Sequence, residues 1–427
     1  MAGTNLTAEE KEKASILGSA IMGRITNAQA AKQLELSVRQ IQRIKARMRK
    51  EGQSAVVHQL KGKPSNACLP EDEKIKTITI IKQKYNDFKP TFATEKLSEN
   101  HDIHISRETT RLWMIEADIW KIHKQRKTGE YRSWRPRKEY FGELEQFDGS
   151  YHLWFENRFV DKFENPIEIC LLASIDDATG QITKAAFTAN EGVYAVFAFW
   201  KAYAEEIGKP LSIYLDKFST YKINHKAAVD NSELITQFQR AMQQVSIQLI
   251  TAHSPQAKGR IERLFDTLQD RLVKELRLAG INTPDAGNRF LKEVFLPKFN
   301  NKFAVTPAKE GSVHKNLTDA DKNNINRIFS VQSTRVINND FTIQFKTAWY
   351  QLSEIQSTTV RAGEKVLVEE WLDGTIHFSL REKYLSYAVL PERPRKVKKP
   401  PPILTTHKLN WIPPKDHPWR KPYRAKS

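Results

Sequence analysis

From about residue 140 the chain alternates apolar, β-rich runs with amphipathic helical stretches, and this rhythm narrows the possible folds more than any other feature. GELEQFDGSYHLWFE, IEICLLASIDDATG and ITKAAFTAN read as three successive strands, with Ala-Thr-Gly closing the second. A helix (VYAVFAFWKAYAEEIG), a strand (PLSIYLD), a helix (ELITQFQRAMQQVS) and a strand (IQLITAH) follow. The long helix GRIERLFDTLQDRLVKELRLAG ends at Gly280. The order β-β-β-α-β-α-β-α puts three antiparallel strands before two crossover units. The sheet must therefore be mixed, with helices on both faces. Residues 139–315 are assigned to this α/β core.

The flanks have other rhythms, so the whole reads as a multidomain α+β chain. Residues 1–62 hold two short helices around a tight turn, capped by Thr26 and Ser37. Ala30, Ala31, Leu34, Leu36, Val38, Ile41, Ile44 and Met48 form the expected apolar face. Arg39, Gln40, Arg43, Arg47 and Lys50 lie opposite, the pattern of a DNA-binding helix-turn-helix. Residues 63–138 read as a second helix-turn-helix or winged helix, with Ser106 as a cap and Arg107, Thr109, Thr110 and Arg111 in the first turns of its last helix. That segment ends in the basic stretch 121–138, with eight Lys/Arg against one Glu and Arg135 among its expected phosphate contacts. Residues 316–334 are polar and Asn-rich and read as a linker. Residues 335–392 suggest a small β-barrel with a hairpin turn at Asp373-Gly374. The tail 393–427 carries eleven Lys/Arg and one Asp and is expected to be disordered.

A formal charge of +18 over 427 residues implies a polyanionic partner, double-stranded DNA first and an acidic membrane surface second. No apolar run approaches the roughly 20 residues that span a bilayer. The N-terminus lacks secretory character, and Cys68 and Cys170 make no disulfide framework or zinc spacing. A soluble cytoplasmic protein, nucleoid-associated when on DNA, is the expectation.

Three carboxylates sit where a metal site could form: Asp148 in EQFDGSYHLWF, Asp216 after LSIYL, and Glu262 one turn into the last core helix. Mg²⁺ prefers hard oxygen ligands, and two such ions about 3.5–4 Å apart can drive in-line displacement at phosphorus. Asp148 is placed on a central strand as the bridging ligand and Asp216 at the C-terminal edge of its neighbour. Lys258, Arg260 and Arg263 beside Glu262 are expected on the scissile strand, with Gly259 allowing close backbone approach. Plainer roles exist for each carboxylate: a turn former at Asp148, a cap at Asp216, a surface ion pair at Glu262. Asp176 and Asp177 compete for the site but read as a strand-ending turn. Asp266 is the fallback third ligand, and His253 a strand-end or DNA-contact residue.

FGELEQFDGS, SIDDATG, HSPQAKGRIER and TLQDRLVKELRLAGI resemble bacterial insertion-sequence transposases of the DDE class, in the ISNCY group near the IS481-like enzymes. The likeness extends over most of the chain, to the terminal DHPWRKP. It implies an RNase H-like core of the retroviral-integrase kind and Asp148, Asp216 and Glu262 as a triad for two Mg²⁺ (or Mn²⁺) ions. It also implies recognition of terminal inverted repeats, nicking at element ends and strand transfer from the freed 3′-OH by a homodimer or higher multimer on DNA. Lys217-Phe218-Ser219 departs from the Lys/Arg-His-Ser run such enzymes carry, leaving an auxiliary proton-transfer role without its histidine. A DNA-binding regulator with a silent core, or a nuclease without joining activity, are the other readings.

Overall fold

The computed structural model describes residues 6–58, 69–121, 136–215, 231–251, 259–392 and 412–420. The chain divides into two compact units, Met1–Gly129 and Glu130–Ser427.

In the first unit, α1 (Ala8–Ile21), α2 (Asn27–Gln33) and α3 (Val38–Glu51) each begin with a capping box, on Thr7/Glu10, Thr26/Gln29 and Ser37/Gln40. Leu17, Ala30, Ala31 and Ile41 are buried among them, with Leu34, Leu36, Ile44 and Met48 packed alongside. Val38, expected on that face, is 42% exposed at the first position of α3. A second cluster joins α4 (Glu71–Lys84), α5 (Pro90–His101) and α6 (Arg107–Glu116) around Ile81, Tyr85, Phe88, Phe92, Leu97 and Met114. No strand, and so no wing, occurs there among the described residues.

The second unit is built on a five-stranded sheet of order β3-β2-β1-β4-β5. Its strands are β1 (Glu145–His152), β2 (Ile169–Asp176), β3 (Ile182–Thr188), β4 (Ser212–Leu215) and β5 (Gln248–Thr251). β1 pairs antiparallel with β2 and parallel with β4, and β4 pairs parallel with β5. This mixed sheet puts β1 at its centre, as the alternation of strands and helices requires. Helices α7 (Val193–Glu206) and α8 (Asn231–Gln244) cover one face, where Phe147, Phe197, Trp200, Tyr203, Phe238 and Met242 are buried. The long α9 (Gly259–Leu278) covers the other, setting Ile261, Leu264, Phe265, Leu268 and Leu272 against Leu171, Ala173 and Ile175. Its apolar residues recur at helical spacing, and Gly280 at φ +68° ends it.

Past α9 lie α10 (Pro284–Phe290), a π turn over Leu291–Phe295, and α11 (Leu296–Phe303). They flank the outer edge of β3. Gly287 is required there, because a Cβ would meet Phe187 at 2.9 Å and Phe155 at 3.0 Å. The Asn-rich stretch read as a linker instead holds α12 (Asp319–Ile328), started by a Thr318/Asp321 capping box. Ile325, Ile328 and Phe329 enter the core beneath α7 and α8, so the segment is part of the core's packing.

The C-terminal strands form two sheets. One runs β11-β10-β9-β6 and the other β12-β8-β7, where β6 is Val331–Val336, β7 Thr342–Phe345, β8 Ala348–Leu352, β9 Lys365–Glu370, β10 Ile376–Leu380, β11 Lys383–Tyr384 and β12 Tyr387–Leu390. Both face one core of Ile343, Tyr350, Val366, Val368 and Phe378. The expected closed barrel is thus not seen among the described residues. The chain bends between β6 and β7 through Phe341 at φ 57°, and the short strands leave the two sheets unjoined. Asp373-Gly374 does make the β9–β10 turn, with Gly374 at φ 83°. Residues 412–420 contain a short 3-10 turn, Pro418–Arg420.

Candidate active site

Side chains alternate along β1, so Gln146, Asp148 and Ser150 share a face. That face looks to α9. The Ile261 N–H donates to Gln146 Oε1 at 3.3 Å, and Gln269 Nε2 donates to Ser150 Oγ at 3.2 Å. Half-buried Asp148 lies between these two contacts, and exposed Glu262 follows Ile261 in the first turn of α9. A carboxylate in that turn is favoured by the helix dipole. Asp216 lies outside the described residues; the residue before it, Leu215, is the last of β4. Among the described residues no three His, Cys, Asp or Glu gather as a metal site.

Beside this edge is a buried polar group. Asp177 and Gln146 are both wholly buried. Asp177 Oδ1 accepts from Gln146 Nε2 at 2.7 Å and from the Arg260 guanidinium, and Oδ2 accepts the Lys138 N–H at 3.0 Å. Asp176, also wholly buried, accepts the Gly142 N–H at 2.9 Å and both the N–H and the hydroxyl of Thr179 at 2.7 Å. These two aspartates therefore hold the β2–β3 turn and the start of α9. Asp266 is exposed one turn after Glu262. Cys170, buried on β2, has its thiol pushed up by burial, then by Glu191 and Asp148.

Several expected DNA contacts are placed differently. Arg260 is drawn inward because buried Asp177 needs a cation, so it is not free for a scissile strand. Arg263 is exposed and donates to the Gly259 carbonyl at 2.7 Å. Among the described residues a Cβ on Gly259 would meet Arg263 alone, at 3.7 Å, so none of them requires glycine there. Lys258, Arg135 and His253 lie outside the described residues. The end of the basic stretch is strapped to the core, with Arg137 donating to the Ala178 carbonyl at 3.2 Å.

On α3, Arg39 and Arg43 are exposed, as the helix-turn-helix reading requires. Gln40 is also exposed, but its Oε1 accepts the Ser37 N–H at 3.0 Å in the capping box. Arg47 is half-buried and donates to the Ala55 carbonyl. On α6, Arg107 is exposed and Arg111 pairs with Glu108 at 2.6 Å. Thr110 is wholly buried, accepting from the Thr94 hydroxyl at 2.8 Å, and cannot reach a groove. It sits four residues before buried Met114, on the packed side of the helix.

A helix-turn-helix domain model matches residues 12–65. A putative transposase, y4bF of Sinorhizobium fredii, is 35% identical over 390 residues, covering 91% of this chain and 83% of the relative. The transposase for insertion sequence IS1202 of Streptococcus pneumoniae is 28% identical, covering 96% and 93%. Among solved structures, the HTLV-2 integrase catalytic core overlaps 36% of this chain and 89% of its own, at 17% identity and TM-score 0.25. A simian T-cell lymphotropic virus intasome overlaps 70% and 96%, at 14% identity and TM-score 0.30. At these scores the overlaps add nothing to what strand order and direction establish. The sequence likeness, by contrast, runs through helix-turn-helix, sheet and β region alike, and on it the chain belongs to the insertion-sequence transposase family.

Proposed function

We propose that the N-terminal unit binds double-stranded DNA at element ends and that the edge between β1 and α9 performs divalent-metal-dependent 3′-end cleavage and strand transfer. Asp148, Asp216 and Glu262 are the metal-holding carboxylates in this reading. The observation that carries it is the pairing of β1 with β4, where Gln146 faces Tyr214. That pairing has the same sequence offset as Asp148 and Asp216, so continuing it by two residues would set the two carboxylates side by side. Ile261, bound to the same strand at Gln146, directly precedes Glu262, which supports its inclusion with them. An all-carboxylate donor set suits a hard divalent ion such as Mg²⁺ or Mn²⁺. A pair of such ions would supply Lewis acidity at the attacking and departing oxygens.

The chain's own residues hold and orient. The paired strand fixes Asp148, and the helix start fixes Glu262 among first-turn N–H groups that favour negative charge. Arg39 and Arg43 on α3, with Arg107 on α6, supply the exposed cations for a groove or phosphate backbone. Arg263 and Lys258 are the remaining candidates near the scissile strand. Two element ends must be joined, so the working form is a homodimer or larger multimer on DNA.

Pre-cut element ends incubated with target DNA and Mg²⁺ test the proposal. Each of Asp148→Ala, Asp216→Ala and Glu262→Ala should lower strand transfer roughly 10³-fold, as losing several kcal/mol of transition-state stabilisation requires. DNA binding by the first unit should be unchanged. Undiminished joining by Asp148→Ala would overturn the assignment. With uncut element DNA as substrate, cut but unjoined ends from the unsubstituted protein would make it a nuclease.

A further inference from the structure

We infer that Gln146, Asp177 and Arg260 form a positioning clamp that fixes the start of α9, and with it Glu262, against the strand carrying Asp148. The inference rests on the proposed role of those two carboxylates. The first N–H groups of a helix have no partner within it. At α9, Gln146 on the sheet accepts one of them, from Ile261 at 3.3 Å. The other end of the same amide donates to Asp177 Oδ1 at 2.7 Å. Its orientation is thereby set: turning it over would aim the oxygen at a carboxylate and the NH₂ at an N–H.

Asp177 itself is wholly buried, and a buried carboxylate is costly without a cation. Arg260 supplies the cation and is the second residue of α9. The remaining Asp177 oxygen takes the Lys138 N–H at 3.0 Å, so this acceptor is itself held in place. Two tethers that meet on Asp177 Oδ1 thus act on consecutive residues directly before Glu262, the side chain of Arg260 directly and the backbone of Ile261 through Gln146. None of the three clamp residues needs to touch DNA or metal. They set the distance between two ligands on different elements, and oxygen-ligand geometry around Mg²⁺ is strict.

The test uses the full chain and Gln146→Leu, which keeps the volume and removes both hydrogen bonds. Hydrogen exchange in the metal-free protein should quicken at residues 260–263 while β2 and α7 stay protected. Calorimetric titration with Mn²⁺ should show affinity reduced about tenfold, the scale on which residues supporting metal ligands act. The Mg²⁺ concentration giving half-maximal strand transfer should rise to match, with joining at saturating Mg²⁺ largely retained. Arg260→Lys, which keeps a cation for Asp177, should recover most of the Mn²⁺ affinity lost in Arg260→Met. A folded Gln146→Leu with unchanged exchange at α9 and unchanged Mn²⁺ affinity would overturn the clamp. If that variant does not fold, equal Mn²⁺ affinity in Arg260→Lys and Arg260→Met would overturn it. An inactive Asp148→Ala alongside clamp variants indifferent to Mn²⁺ removes the clamp alone. An active Asp148→Ala removes the ligand assignment beneath it.

Discussion

Glu145 lies three residues before Asp148 yet belongs to a different chemistry. It is wholly buried and accepts the Thr183 hydroxyl at 2.6 Å, with the Tyr203 hydroxyl also against its carboxyl. Burial first, and then nearby Asp176, push its carboxyl well above the ordinary value of 4.5. The folded state therefore holds this proton more tightly than the unfolded chain. The stability gained is complete below the unfolded value and is lost as pH rises toward the folded one. Glu145→Gln should accordingly narrow the stability difference between pH 5 and pH 8 in urea titrations, with the variant gaining on the parent as pH rises. An unchanged pH profile would mean that Glu145 is ionised at little cost. The sequence could not announce this residue, since strand alternation alone does not say which face is sealed. The inward course of Arg260 is not legible in the sequence, because its partner Asp177 is 83 residues away. A motif displays a basic residue beside Glu262 but not the buried charge that draws it inward.

At the scale of elements, hydrophobic rhythm located every strand of the core and the helices with wide apolar faces. It failed at α12, whose buried contacts from within the helix are only Ile325 and Ile328. The remaining polar residues there look like a connector, but capping and docking suffice to order ten residues once a core is present. The edge of β3 was equally silent. Asn300 accepts the Ile182 N–H at 2.9 Å and donates to its carbonyl at 2.9 Å, while Asn288 accepts from Phe187 at 2.6 Å and donates to its carbonyl at 3.1 Å. Each side-chain amide replaces a peptide of a missing neighbouring strand, one way to close an open sheet edge. Asn300→Ala should cost roughly 1–3 kcal/mol, the scale for leaving partly buried backbone groups unpaired. Chemical denaturation would measure it, and a change below a few tenths of a kcal/mol would show that water replaces the amide.

Across the whole molecule, +18 of formal charge coexists with the acidic edge proposed as the active site. The first unit contributes exposed arginines, and the last 35 residues carry eleven of the 68 Lys/Arg. The β region is tied to the core by apolar contacts, with Val331 and Leu372 packed against the cluster beneath α7 and α8, and by polar ones. Arg327 meets buried Glu369 at 3.1 Å, and Gln237 donates to the Gln332 carbonyl at 2.6 Å. Composition could suggest strands there, but not two sheets in place of one closed sheet, because closure depends on strand length and bends rather than on alternation. In the proposed reaction, folding and metal together gather Asp148, Asp216 and Glu262. Anomalous scattering from crystals soaked in Mn²⁺ tests it most directly. Manganese peaks bounded by all three carboxylates, beside Asp148 on β1, are the expected result. Manganese bound elsewhere, with Glu262 turned away from Asp148, would contradict it.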